Sequence, residues 1–141
     1  MVVLKGIPFV LSPELLYALA KMGHGDELVL ADANFPVSSV CACGPKEIRA
    51  DGLGIPQLLG AVLKLLPLDT YVPSPTVVME LVDSDKEKNL TVPVWDVYSE
   101  LLEEVGVKTP LEKVERFAFY ERSEEGFRCR SNRGNHLSMV T

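Results

Sequence analysis

Cysteine is scarce in this chain, and its spacing does not fit a disulfide framework or a structural metal site. The three cysteines, an odd number, are Cys41, Cys43 and Cys129. The Cys41-Ala42-Cys43 spacing lacks the second pair of ligands that a structural zinc site needs. No metal site is therefore predicted. We expect reduced thiols, as in cytosolic proteins, with the first two near the start of a strand as small apolar side chains.

Basic residues and long apolar runs are also in short supply. Lysine and arginine together number 14 against 20 aspartates and glutamates, which gives a formal net charge of -6. Proteins that bind nucleic acids usually present a basic face, so no DNA or RNA partner is predicted. The apolar run Ile7–Leu11 is short and contains Pro8, and no segment reaches the roughly 20 apolar residues of a membrane helix. We therefore expect a cytoplasmic protein with no membrane partner.

Histidine occurs only twice, at His24 and His136. Imidazole titrates nearest to neutral pH, so proton transfer that needs it is expected to fall to His24, which stands between Gly23 and Gly25 in a loop from a helix to a strand. The alternative is a histidine that closes the helix, where the helix dipole and free carbonyl groups favour a cation. Taken alone, the residue favours this structural role.

Apolar periodicity, by contrast, is plentiful. Hydrophobic residues make up 47% of the 141 residues, enough for a core within one domain. Apolar spacing, caps and prolines predict helices, and short apolar runs predict strands. The predicted helices cover 13–22, 55–66, 95–105 and 110–114, the predicted strands cover 27–31, 46–50, 77–82 and 117–120, and 83–88 is a charged loop. This alternation predicts a single-domain α/β fold.

Several short motifs together resemble one known family. They are Leu11–Leu16 (Leu-Ser-Pro-Glu-Leu-Leu), Gly23–Asp26 (Gly-His-Gly-Asp), Ala31-Asp32, Asn34-Phe35-Pro36, Ala50-Asp51-Gly52 and Leu66–Tyr71 (Leu-Pro-Leu-Asp-Thr-Tyr). From Leu4 to about Phe127 the chain resembles the ribose pyranase and fucose mutarotase family, and Arg116-Phe117 and Phe119–Arg122 match its vertebrate fucose branch. The resemblance implies a central mixed sheet flanked by helices over residues 1–127. It also implies interconversion of the α and β anomers of a free sugar, L-fucose in this branch, with no metal or organic cofactor.

The resemblance also implies a site. His24 corresponds to the family's proton donor, and Asp32, Asp69, Met79 and Tyr120 correspond to sugar-contact positions. Opening and reclosing a cyclic hemiacetal requires one proton delivered to the ring oxygen and one removed from the anomeric hydroxyl. An imidazole, with an ordinary pKa of about 6.5, can transfer protons in both directions at neutral pH.

Each of the four contact residues has a simpler alternative. Asp32 can cap a turn after a strand, and Asp69 can be a loop acid after Pro67. Met79 can be a core side chain. Tyr120 can be a strand aromatic with its hydroxyl in water, and for this residue the two interpretations are balanced.

The distance between His24 and Asp32 raises a question of geometry. If extended, the eight positions from His24 to Asp32 would span about 25 Å, too far for one monosaccharide to touch both. Either the loop folds back, or two subunits share the site. Members of the family assemble into dimers and larger rings with sites at or near subunit contacts, so the resemblance implies self-association as a condition for activity.

Residues 128–141 depart from the family. Its members continue with an apolar strand and a Tyr-Gly-Asn segment whose tyrosine and asparagine help to hold the sugar, whereas here Arg133 precedes Gly134-Asn135. We expect residues 128–141 to be a divergent tail without strand alternation, which can be disordered. Two alternatives to a fucose mutarotase stay open: a catalytically silent form that binds sugar weakly or associates with full-length subunits, and a ribose pyranase.

Overall fold

Helices and strands alternate along the chain. The computed structural model describes residues 2–23, 26–42, 44–69, 71–125 and 136–139. Its elements are α1 (Pro13–Lys21), β1 (Glu27–Leu30), α2 (Val37–Cys41), α3 (Ile55–Leu63), β2 (Thr76–Met79), α4 (Asp83–Glu87), α5 (Pro93–Glu104), β3 (Glu112–Val114), α6 (Arg116–Glu125) and β4 (His136–Met139). The predicted α/β class is confirmed.

The strands form one sheet in the order β1-β4-β2-β3. A mixed sheet was expected, but all three described pairings are parallel. The physical reason is that helices separate consecutive strands in the chain, and parallel neighbours need such crossover connections. As a consequence, β1, β2 and β3 all end at the same edge of the sheet, which we call the carboxyl edge.

Strand β4 lies inside the segment that was expected to be an irregular tail. It pairs with β1, where Glu27 is opposite His136, and with β2, where Thr76 is opposite Leu137. The expectation of no strand is therefore wrong for residues 136–139. Pairing on both sides satisfies the backbone groups of β4, and a short sequence pattern does not reveal this because strand formation depends on its neighbours. Residues 126–135, 140 and 141 lie outside the described residues, and the domain boundary at residue 127 stays a prediction.

Apolar side chains cover both faces of the sheet. In β2, Val78 packs into a larger cluster with α1, α3 and α5, whereas its neighbour Val77 packs into a smaller cluster with Phe35, Val40 and Phe119. Successive side chains of a strand point to opposite faces, which explains the division. The smaller cluster, defined by the buried residues Phe35, Val40, Val77 and Phe119, lies between the sheet and helices α2 and α6.

The long helices and the two apolar strands were predicted correctly. Helices α1, α3 and α5 match the predicted helices at 13–22, 55–66 and 95–105, and β1 and β2 match the predicted strands at 27–31 and 77–82. Helix α1 begins as its sequence indicates, because the Ser12 hydroxyl accepts a hydrogen bond from the Leu15 N–H at 3.2 Å. Strong apolar periodicity and capping were sufficient to predict these elements from the sequence.

Four short segments were predicted wrongly. Residues 46–50 form no strand, the expected loop 83–88 contains α4, and the expected helix at 110–114 contains strand β3. In β3, Lys113 lies opposite Val78, so pairing with β2 overrides a weak local helix signal. Cys41 ends helix α2 and does not lie near the start of a strand.

The fourth error concerns residues 117–120, which belong to helix α6 and not to a strand. The Glu115 carboxylate accepts hydrogen bonds from the N–H groups of Phe117 (2.9 Å) and Ala118 (3.1 Å), and so caps the helix. Phe119 is 1% exposed whereas Phe117 is 66% exposed. Residues two apart share a face in a strand but not in a helix, so only the helix can bury one ring and expose the other.

Candidate functional site at the carboxyl edge

Three of the predicted sugar-contact residues lie on elements that meet at the carboxyl edge. Asp32 follows β1 by two residues, Met79 is the last residue of β2, and Tyr120 lies on α6, which begins two residues after β3 ends. In open α/β sheets, ligands bind in crevices outside the carboxyl ends of the strands. The topology therefore brings Asp32, Met79 and Tyr120 to the part of the fold where a ligand is expected.

Phe35 connects these residues through the smaller cluster. Its ring lies edge-on to Tyr120, with centroids 5.5 Å apart, and edge-on to Phe119 at 6.2 Å. Met79 and Tyr120 pack against the same cluster as partly buried side chains. Phe35 was not predicted as a site residue, although it stands in the Asn34-Phe35-Pro36 motif, and this motif was the available signal.

The carboxylate of Asp32 has one oxygen engaged in a turn and one available. Its Oδ1 accepts the Asn34 N–H at 2.9 Å, and its carbonyl accepts the Phe35 N–H at 3.2 Å. Among the described residues none donates to Oδ2, and the side chain is partly exposed. The turn-capping alternative is thus true for one oxygen, and the other can accept a hydrogen bond from a sugar hydroxyl.

Tyr98 lies near enough to Asp32 to be affected by its charge, and this relation was missed in the sequence. Tyr98 is 1% exposed and belongs to α5. Burial and, to a smaller extent, the negative charge of Asp32 together raise the pKa of Tyr98 from its ordinary value of 10.0 to about 12. Tyr98 is therefore protonated at neutral pH and cannot serve there as a base.

The hydroxyl of Tyr120 is held by a neighbouring arginine on the same helix. Arg116 Nε donates to the Tyr120 hydroxyl at 3.2 Å, and the guanidinium lies 5.6 Å from the centroid of the Tyr120 ring. The same guanidinium lies 5.5 Å from the exposed ring of Phe117. Arg116 was not predicted as a site residue, and its place in the Arg116-Phe117 motif was the only sequence signal.

The remaining predicted residues attach to the opposite, amino ends of the strands. His24 lies outside the described residues, in the connection that enters β1 at its amino end. The residues on either side of it are tied together, because Gly23 N–H donates to Asp26 Oδ2 at 2.8 Å and Asp26 N–H donates to the Gly23 carbonyl at 3.2 Å. Asp69 lies in the connection that enters β2. Its Oδ1 accepts the Tyr71 N–H at 2.8 Å, as its simpler alternative predicts.

A cavity of about 740 Å³ adjoins the turn of Asp32. Residues of β1, α2 and the segment 45–53 form most of its wall, together with Asp32, Phe35 and Ser123 of α6. Ligand pockets commonly enclose about 300–1,000 Å³, so the space suits a small molecule. Met79, Asp69 and Tyr120 do not line this cavity, which therefore does not include the whole set of predicted contacts.

The described residues offer little to a metal ion. Across residues 2–23, 26–42, 44–69 and 71–125, no three side chains of histidine, cysteine, aspartate or glutamate are grouped to hold one. Cys41 is a free cysteine. Burial raises the pKa of the Cys41 thiol, as does the nearby charge of Glu47, and this disfavours the thiolate that metals and electrophiles require. Cys43 and Cys129 lie outside the described residues.

Comparison with known proteins identifies the family. The RbsD / FucU transport protein family matches residues 5–129. The chain belongs to this family. Among its members, the fucose mutarotase of Homo sapiens is 69% identical over 127 residues, which are 90% of this chain and 82% of that protein. The L-fucose mutarotase of Actinobacillus pleuropneumoniae is 46% identical over 125 residues, which are 88% of this chain and 83% of that protein.

Solved structures of the RbsD / FucU family share the fold. FucU from Bifidobacterium longum superposes with a TM-score of 0.80 at 37% identity, covering 96% of this chain and 87% of the other. A fucose mutarotase from Streptococcus pneumoniae, in complex with L-fucose, superposes with a TM-score of 0.77 at 38% identity. The match covers 96% of this chain and 88% of the other. The α/β fold implied by the resemblance is confirmed. Among the helices of the described residues, none is long and apolar enough to cross a bilayer.

Proposed function

We propose that this protein is a mutarotase that interconverts the α and β anomers of L-fucose. The observation that carries the proposal is the 69% identity to a fucose mutarotase over 90% of this chain. The shared fold with a fucose mutarotase in complex with L-fucose supports the same substrate. The placement of Asp32, Met79 and Tyr120 around one apolar cluster at the carboxyl edge supports a binding site for a small polar ligand there.

In the proposed reaction His24 delivers a proton to the ring oxygen of the sugar. The bond between the anomeric carbon and the ring oxygen breaks, and the anomeric hydroxyl gives its proton to solvent water as the carbonyl forms. Closure on the other face of the carbonyl reverses both transfers, so the overall reaction consumes no proton, electron or cofactor. Positioned acid–base groups typically increase the reaction rate about 10²-fold to 10⁴-fold. Asp32 Oδ2 accepts hydrogen bonds from sugar hydroxyls, and the Tyr120 hydroxyl accepts them or donates them.

We further propose that two subunits together complete the site. The loop with His24 joins the amino end of β1, whereas Asp32 follows its carboxyl end. The strand between them, Glu27–Leu30, is about 10 Å long at 3.3 Å per residue. Asp69 likewise precedes β2 while Met79 ends it. Residues separated in this way within one chain can meet when the amino-side loops of one subunit face the carboxyl edge of another.

The test is saturation-transfer NMR on an equilibrium mixture of fucose anomers. The purified chain should exchange the anomers faster than buffer alone, and His24→Ala should abolish the acceleration while sugar binding stays measurable. His136→Ala is the matched control, because it removes the other imidazole, and it should retain exchange. Light scattering in the same buffer records the oligomeric state. Full exchange in His24→Ala would contradict the acid–base role.

Two outcomes would replace the proposal. A folded protein that does not accelerate exchange would support the silent form, and restoring a family-like Tyr-Gly-Asn terminus should then raise activity. Faster exchange of ribose than of fucose would support a ribose pyranase. Measuring both sugars with the same sample separates these outcomes.

We also propose that the protein works in the cytoplasm. The free thiol of Cys41 fits a reducing compartment, where cysteines stay unpaired. Fractionation of cells with an antibody against the protein would test this location.

A further inference from the structure

One ion pair links the base of the His24 loop to the helix that carries Tyr120. Glu27 is the first residue of β1, three positions after His24. Its carboxylate accepts two hydrogen bonds from Arg122 Nε, at 3.0 and 3.1 Å, and one from Arg122 Nη2 at 2.8 Å. The two residues are 95 positions apart in the sequence, so the pair is a tertiary contact between β1 and α6.

This pair differs from the other ion pairs among the described residues. The side chains of Glu27 and Arg122 are 14% and 29% exposed. In the pairs of Arg49 with Asp51 and of Lys86 with Glu80 and Asp83, every side chain is at least 34% exposed. Exposed ion pairs contribute little to the free energy of unfolding. A partly buried arginine–carboxylate pair with two or more hydrogen bonds also constrains the relative orientation of its side chains. The Glu27–Arg122 contact is therefore suited to fix a position.

The described residues on both sides of His24 are held by hydrogen bonds. On one side, Asp26 closes the base of the loop through its two hydrogen bonds with Gly23. On the other side, Glu27 is bound to α6, and α6 holds Tyr120 against Phe35 beside the Asp32 turn. Asp26 and Glu27, which follow His24 in the sequence, are thus held by short, directional contacts. The Glu27–Arg122 pair is the contact that joins β1 to α6.

We propose that Glu27 and Arg122 are positioning residues that orient the His24 loop for proton transfer. The inference rests on the proposed mutarotase function and deepens it. Glu27 lies in the wall of the cavity, but neither side chain is among the predicted sugar contacts, so disrupting the pair should lower kcat more than it raises KM. A displacement of a catalytic group by about 1 Å can lower the reaction rate about a hundredfold. We therefore expect at least a tenfold loss of kcat in Glu27→Gln and in Arg122→Lys.

The experiment compares those two variants with a charge-reversed double variant, Glu27→Arg with Arg122→Glu. Restoring an opposite-charge pair should recover part of kcat relative to Glu27→Arg alone. Lys86→Gln is the matched control, because it removes an exposed ion pair on α4, and its kcat should equal that of the parent protein. Denaturation curves for every variant separate loss of stability from loss of rate. Unchanged kcat in both single variants, or a loss that only follows the unfolded fraction, would overturn the inference.

A second readout does not depend on turnover. In histidine-selective NMR spectra, with His136→Gln used to assign the two imidazoles, the His24 resonances should shift in Glu27→Gln and in Arg122→Lys but not in Lys86→Gln. If the parent protein shows no exchange, the proposed function fails, and this measurement still decides the inference. His24 resonances that are identical in all variants would contradict it.

Discussion

Asp32 shows how one carboxylate can serve both the fold and a ligand. Its Oδ1 closes the turn after β1 by accepting the Asn34 N–H, while Oδ2 has no donor among the described residues. The side chain is partly exposed, and Oδ2 can accept a hydrogen bond from a sugar hydroxyl. The turn-capping and sugar-binding interpretations of this residue are therefore compatible.

Replacing Asp32 by asparagine should weaken sugar binding more than it weakens the fold. Asparagine can keep the turn hydrogen bond, but it loses the charge that strengthens a bond from a hydroxyl. Hydrogen bonds to charged groups contribute about 1.5–3 kcal/mol, which corresponds to about a tenfold to hundredfold rise in the Kd for L-fucose. Titration followed by NMR checks this value. Asp83→Asn, at a side chain that is 95% exposed, is the control and should bind normally.

The raised pKa of Tyr98 predicts how the free energy of unfolding changes at high pH. Its folded-state pKa of about 12 exceeds the ordinary value of 10.0, so the folded protein keeps this proton to a higher pH than the unfolded chain does. The stabilisation is complete below pH 10 and is lost as the pH rises to about 12. Tyr98→Phe should lack this fall in the free energy of unfolding. Urea denaturation between pH 9 and about 12 measures it, and an equal fall in the variant would contradict the assignment.

At the scale of elements, helix α6 contributes several side chains to the candidate site. Its first turn is capped by Glu115, its buried side contributes Phe119 to the smaller cluster, and Tyr120 and Arg122 contact the Phe35 and Glu27 side chains. An aromatic run of this kind was predicted as a strand, because aromatic residues are common in strands. Only the cap and the packing against Phe35 show that the segment is helical.

The two phenylalanines of α6 test the helical assignment. Phe119→Ala should lower the free energy of unfolding by about 3–5 kcal/mol, because it empties a fully buried position. Phe117→Ala, two positions away and 66% exposed, should cost less than about 1 kcal/mol. Denaturant unfolding measures both. Equal losses would indicate that the two rings share one face, as they would in a strand.

At the scale of the whole molecule, the parallel sheet separates the predicted site residues into two groups. Asp32, Met79 and Tyr120 belong to the carboxyl edge, and the connections that hold His24 and Asp69 enter the strands at their amino ends. The proposed chemistry therefore requires that these two groups come together, and the proposal brings them together from two subunits. The implied assembly of the family into dimers or rings fits this requirement.

Mixing two inactive variants should restore activity if subunits share the site. His24→Ala and Asp32→Ala should each be inactive or nearly so. After they are unfolded together and refolded, about a quarter of the sites should combine an intact His24 from one chain with an intact Asp32 from another. Anomer exchange should then reach about a quarter of the parent rate. Mixed oligomers that show no recovery would place both residues in the site of a single subunit.

Much of the fold could be predicted from local patterns. The helices α1, α3 and α5 and the strands β1 and β2 are long or apolar enough for period and capping to identify them. The motifs that place this chain in the RbsD / FucU family also marked the loop of His24 and the turn of Asp32. These features depend on residues close together in the sequence, and a single sequence displays them directly.

The tertiary structure decided what depends on distant partners. Strand β4 forms because β1 and β2 pair with it on both sides, and β3 forms because β2 supplies a partner. The parallel directions, the ring contact of Phe35 with Tyr120, and the Glu27–Arg122 pair join residues that the sequence separates widely. Hydrogen-bond pairing and packing between distant segments leave little trace in local composition. The sequence alone therefore indicated the chemistry and the family, and the fold determined which residues can act together.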